Sequence, residues 1–244
     1  MNKLVRLDEF KQVLANYHIS PDSKVILKNT KIVALTAPSS SGRNTIIREL
    51  LKTGDYYFIV SDTTRKPRVN DGIPEKDGRE YWFRREDDML ADLKAGKFLE
   101  AEIIHNQQVS GISIRELKKA SSMGKIAITD MDIGGTHNLV EANPGTVAVM
   151  VLPPDFKEWQ RRIKTRGHMS KQEHRRRIET AKTIFKEALQ QDYFAYVVNQ
   201  NYQQSAAVID TLLKTGSESL MNKEDGRKLV KELLRETQAF LKNN

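Results

Sequence analysis

The stretch Ile32-Val33-Ala34-Leu35-Thr36-Ala37-Pro38-Ser39-Ser40-Ser41-Gly42-Arg43-Asn44-Thr45-Ile46-Ile47-Arg48-Glu49-Leu50-Leu51 decides the fold. An apolar run of strand type leads into small residues and then into apolar residues at helical spacing. Strand, small-residue loop, helix is the layout of a phosphate-binding loop, where backbone N–H groups and the positive start of the helix face an anion. The usual pattern is G-x-x-x-x-G-K-[ST]. Here Ala37 stands at the first Gly, Arg43 at the Lys and Asn44 at the Mg²⁺-binding Ser or Thr, with Thr45 one position on.

Working outward, residues 31–214 alternate between strand-like and helical patterns. Apolar runs lie at Ile32–Leu35, Phe58–Val60, Ile126–Thr129, Val147–Leu152 and Tyr196–Val198. Such alternation predicts an α/β fold, a parallel sheet flanked by helices. The pattern changes between Thr63 and Glu102. Turn signals at Asn70-Asp71-Gly72 and Lys76-Asp77-Gly78 flank a strand at Tyr81-Trp82-Phe83, which predicts a small β-rich lobe.

Residues 1–30 form an N-terminal extension. Leu7, Phe10, Val13 and Leu14 recur at helical spacing, and Ser20-Pro21-Asp22 breaks the pattern. After a linker near 215–219, a last helix from about Lys223 to Leu241 carries a stripe of Leu229, Val230, Leu233, Leu234, Phe240 and Leu241. That stripe suits a helix docked on its own domain or the seam of a homodimer.

The 244 residues suffice for one sizeable core with appendages. Cysteine is absent, which excludes disulfides and thiolate metal sites and fits a cytoplasmic protein. No run approaches a membrane span. The net charge of +8 suits nucleic acid or small polyanions. The basic clusters at Arg65–Arg68 and Arg161–Arg177 lack the interleaved aromatics of a single-strand platform, which favours small phosphates.

In Ser61-Asp62-Thr63-Thr64-Arg65-Lys66-Pro67-Arg68, two arginines flank a proline on a bent loop. Guanidinium forks match phosphate oxygens, although the same loop also reads as a solvated basic turn. Asp130 ends an apolar strand. A carboxylate there faces the ligand crevice of an open α/β sheet and can hold Mg²⁺, or it can simply cap the strand. Arg162 and Arg166 lie four apart, on one helical face.

Across residues 31–214 the chain resembles the guanylate kinases. The resemblance rests on 37–45, Ser61–Arg68, Asp77–Phe83, Phe98-Leu99-Glu100, Asp130-Met131-Asp132-Ile133-Gly134-Gly135, Pro153-Pro154, Arg162–Gly167 and Val197-Val198-Asn199, in the family's order and spacing. It implies a phosphate-loop fold with a GMP-binding lobe at 62–109 and a lid at 160–178. It also implies transfer of phosphoryl from MgATP to GMP or dGMP. Arg65, Arg68 and Tyr81 would grip the GMP phosphate. Glu100 and Asp132 would read guanine, with help from Ser61. Guanine presents donors at N1 and N2, and an ionised carboxylate offers only acceptors. Arg162, Arg166 and Arg177 would be lid arginines acting with Arg43 on the transferring group. Asn199 would lie near adenine, and Thr45 and Asp130 would hold the metal.

Departures from the family pattern are local. A Cβ at Ala37 or Ser40 costs about 1 kcal/mol or more if that position needs a positive φ. The Tyr-Gly-Thr of the family reads Ser110-Gly111-Ile112 here. The arginine clamp, both carboxylates and the lid arginines are kept, which favours a working kinase. The other reading is a weakened module that binds a guanine nucleotide or a phosphorylated partner.

Overall fold

A computed structural model describes residues 4–70, 72–165, 169–216 and 222–243. Its elements begin with α1 (Leu7–Ala15), α2 (Pro21–Lys28), β1 (Ile32–Thr36), α3 (Arg43–Leu51), β2 (Tyr56–Phe58), β3 (Asp62–Thr63), β4 (Val69–Asn70) and β5 (Ile73–Pro74). There follow β6 (Trp82–Phe83), α4 (Glu86–Lys94), β7 (Phe98–Ile104), β8 (Gln108–Ser113), α5 (Ile114–Ser122) and β9 (Ile126–Asp130). The chain continues through α6 (Ile133–Ala142), β10 (Val147–Leu152), α7 (Phe156–Lys164), α8 (Lys171–Gln190), β11 (Phe194–Val198), α9 (Tyr202–Thr215) and α10 (Lys223–Asn243). These elements form two compact units. One comprises Met1–Lys31, Tyr57–Thr129 and Glu141–Gly145, and the other Ile32–Tyr56, Asp130–Val140 and Thr146–Asn244.

The second unit carries the parallel strands β1, β10 and β11, in register from Val33↔Val147 through Leu152↔Val198. All five residues of β1 are buried. An apolar run without polar alternation is what a strand covered on both faces requires. The core gathers Met150, Leu152, Trp159, Ile163, Phe185, Phe194 and Tyr196. The C-terminal stripe joins it. Val230 and Leu233 are fully buried, and Leu229, Leu234, Phe240 and Leu241 pack against the same cluster. Gly226 lets α10 approach β11, because a Cβ there would lie 2.4 Å from the Tyr196 ring. The sharpest part of the helical stripe is therefore used within the chain.

The first unit carries a four-stranded sheet in the order β6-β3-β8-β7 and the hairpin β4–β5. Here lies the β-rich segment expected between Thr63 and Glu102. Helix α1 buries Phe10 against Met89, Leu90, Leu93 and Phe98. Ser20-Pro21-Asp22 is not a simple break. Ser20 caps a second helix, its Oγ accepting from Ser23 N at 3.2 Å, and Pro21 takes the first helical position, where a missing N–H costs nothing.

The expected strand at Phe58–Val60 forms two residues earlier, as β2. Ile59 N still donates to Ile128 O, but Val60 N turns to the Glu116 carboxylate and the ladder ends. Strand β11 starts at Phe194, two residues before the expected Tyr196, because the pairing with β10 extends to Ala148.

Candidate active site

In the second unit, β1 delivers the chain to Ala37 and α3 takes it up at Arg43. Gly42, the N-cap residue, has φ +90°, and a Cβ there would fall 2.1 Å from Asn199 Nδ2. Only glycine meets both conditions. Ser40 also takes a positive φ, +68°, so of the two replaced glycines it is Ser40, not Ala37, that adopts the left-handed region.

Outside groups orient the loop. Trp159 Nε1 donates to Ser39 O at 2.8 Å, and Asn199 Nδ2 donates to Ser41 O at 2.7 Å. With those carbonyls engaged, the amides of Ser39, Ser40, Gly42, Arg43 and Asn44 have no protein acceptor among the described residues. They are the open donors of a helix start. The hydroxyls of Ser40 and Ser41 are buried and lack a partner as well. The residues that carry these groups line a cleft of about 510 Å³, together with Ala37, Pro38, Thr45, Arg48, Arg162, Thr180 and Ile184. Unsatisfied buried donors around a cleft that also holds three arginines suit a polyanion.

Arg43 points at the strand end rather than into open solvent. Its Nη2 donates to Asp130 Oδ2 at 2.7 Å, its Nη1 to Met131 O at 3.0 Å and its Nε to Asn44 Oδ1 at 3.3 Å. Arg162 on α7 lines the cleft and is steered by Glu158, to whose Oε1 its Nε donates at 2.8 Å. Arg161 grips the same carboxylate, and the pair holds the Glu158 carboxyl down to about 2. Arg177 pairs with Glu173 and is not among the cleft-lining residues. Arg166 lies outside the described residues. Asp132 caps α6, its Oδ1 accepting from Gly135 N at 2.7 Å.

In the first unit the Glu75 carboxylate holds the Arg65 side chain and the Arg68 backbone, and Arg65 lies over Tyr81. Arg65 donates through both Nη atoms to Glu75, at 2.5 and 2.9 Å, and Arg68 N donates to the same carboxylate at 2.8 Å. The guanidinium of Arg65 lies 4.6 Å from the centre of the Tyr81 ring. Both partners are nearly buried, with side-chain exposures of 11% for Arg65 and 7% for Glu75. Ser61 accepts from Trp82 N through its carbonyl, leaving its hydroxyl outside the strand ladder. Glu100 lies on β7 opposite Ile112 of β8, and Ser110 bonds Thr63 at 2.8 Å.

Glu116 is a second buried acid of the first unit. It is 1% exposed and accepts from Tyr57 OH, Val60 N and Trp82 Nε1 at 2.9–3.1 Å. In sequence it sits on an ordinary amphipathic helix, with nothing to signal burial. Burial and this carboxylate push the Tyr57 phenol up. Asp62, fully buried, is held by Arg84 at 2.7 Å and Arg115 at 3.2 Å. Among the described residues no cluster of acids and histidines is of metal-binding type, and no helix is long and apolar enough to cross a membrane.

A family model described as guanylate kinase matches residues 29–215. The guanylate kinase of Sulfurimonas denitrificans is 32% identical over 184 residues, 75% of this chain and 86% of that protein. That of Corynebacterium jeikeium is 31% identical over 190 residues, 77% of this chain and 98% of that protein. The crystal structure of guanylate kinase from Anaplasma phagocytophilum superposes with a TM-score of 0.55 at 22% identity, covering 80% of this chain and 88% of that one. A family model over residues 29–215 and relatives more than 30% identical, matched over most of their length, agree: this chain belongs to the guanylate kinase family.

Proposed function

We propose that the chain transfers the γ-phosphoryl group of ATP to GMP, giving ADP and GDP, with the cleft of the second unit as donor site. The observation that carries the reading is the set of open amides and unpartnered hydroxyls at Ser39–Asn44, on residues that line a cleft with Arg48 and Arg162. The loop amides would hold the donor phosphates. Arg162, with Arg166 and Arg177, would stabilise charge spreading over the transferring group, where positioned cations do most of the catalytic work.

Arg65, Arg68 and Tyr81 would fix the acceptor phosphate. Glu100 and Asp132 would select guanine, since adenine turns a bare acceptor toward a carboxylate and leaves it unpaired, at about 1–3 kcal/mol. Asn199, which already orders the loop at Ser41, would border the adenine.

Magnesium fits as the ion carried in on the donor phosphates. The Thr45 hydroxyl has no protein partner among the described residues, and Arg43 engages only Oδ2 of Asp130, so both groups offer oxygen to a hard cation. Bound there, it would neutralise phosphate charge. The reaction is proposed to take place in the cytoplasm.

A coupled ADP-release assay with GMP, dGMP, AMP and UMP tests the proposal. GMP-dependent turnover, with AMP and UMP inert, is expected. GMP binding without turnover would favour a binding module, and a preference for AMP would overturn the assignment of Glu100 and Asp132.

A further inference from the structure

In the phosphate-loop motif, a hydroxyl at the position of Asn44 and an acid at the strand end both serve the nucleotide's magnesium. In this chain a guanidinium reaches both positions. Arg43 donates to Asn44 Oδ1 at 3.3 Å and to Asp130 Oδ2 at 2.7 Å, with Met131 O as a third acceptor at 3.0 Å. Asn44 can offer a metal only a neutral carbonyl oxygen, and that oxygen already accepts from Arg43. The Asp130 carboxylate keeps the guanidinium at the mouth of the loop, and Arg43 itself is among the residues lining the cleft.

A guanidinium stays charged at every working pH and carries five N–H donors, so beyond the three bonds above Arg43 keeps one N–H on each of Nη1 and Nη2 for phosphate oxygens. Arg48 adds to it from the next turn of α3. It borders the same cleft, donates through Nε to Asn44 O at 3.2 Å, and has no carboxylate partner among the described residues.

We infer that Arg43, supported by Arg48, is a built-in cation for the donor phosphates, so that ATP binds this chain with little dependence on Mg²⁺. The inference rests on the donor site proposed above. It concerns binding and leaves the metal its part in phosphoryl transfer.

Calorimetric titration of ATP into the full chain, in EDTA and then in excess Mg²⁺, without GMP, provides the test. The native protein should change its Kd by less than about threefold between the two conditions. Arg43→Lys/Asn44→Ser, which puts back a point charge and a metal-binding hydroxyl, should bind at least about tenfold more tightly with Mg²⁺. Asn44→Ser alone serves as a second variant should the double one fail to fold, and should show part of that gain. A native protein that itself tightens about tenfold with Mg²⁺, or variants with the native ratio, would overturn the inference and leave the donor site standing. No ATP binding under either condition would sink the donor site and the inference with it.

Discussion

Replacing Glu75 by Gln perturbs the Arg65–Arg68 loop with the least change in shape. In the folded chain one carboxylate takes two guanidinium N–H groups of Arg65 and the backbone N–H of Arg68. The amide of Gln offers one oxygen to those three donors and turns an NH₂ group toward a cation. Breaking a fully buried ion pair costs about 3–5 kcal/mol. Both side chains here keep slight exposure, 7% and 11%, and the Gln oxygen retains one bond, so about 2 kcal/mol is the reasonable loss. For a chain of this length that lowers Tm by about 4–8 °C.

The variant also leaves Arg65 without its counter-charge. A nucleotide phosphate seated on Arg65 would restore it. Differential scanning fluorimetry of native and Glu75→Gln protein, with and without GMP, reads both effects. The variant should melt lower alone and gain more from saturating GMP than the native chain does. An unchanged Tm, or an equal or smaller GMP-induced rise in the variant, would refute the view that Glu75 and the acceptor phosphate share Arg65.

Glu116→Ala strips the acceptor from Tyr57, Val60 and Trp82 at once and should lower unfolding free energy by about 3 kcal/mol or more in urea titrations, a small loss showing that water replaces the carboxylate. Gly42→Ala forces a Cβ into Asn199 at a left-handed backbone position, so ATP affinity should drop about tenfold or more by calorimetry; unaltered affinity would mean the loop is not held by Asn199. The Glu158 carboxyl lies below its ordinary 4.5, at about 2, first because Arg161 and then Arg162 donate to it. A depressed folded pKa stabilises above the unfolded value, so this contribution is complete above about 4.5 and is lost as pH falls toward about 2. A carboxyl NMR titration with its midpoint near 4.5 instead would show that the arginines are solvated.

Legibility in the sequence followed how local the cause was. Small residues between a strand run and a helical run place the turn from β1 to α3, because strand burial and helix-start donors are near-neighbour properties. The second N-terminal helix was hidden behind Ser20-Pro21-Asp22, a set that serves equally as a break or as a start, and only the Ser20–Ser23 bond distinguishes them. The early end of β2 was unreadable because it depends on Glu116, 56 residues away.

The amino-acid order alone determined the α/β class, the loop at 37–45 and the arginines at 65 and 68, since each depends on residues within one or two turns of chain. Tertiary structure decided which charges those groups meet. Arg43 finds Asp130 across 87 residues, and the seating of α10 depends on a glycine meeting Tyr196. Pairing energy depends on distance and burial, and neither is a property of a residue until the chain has folded around it.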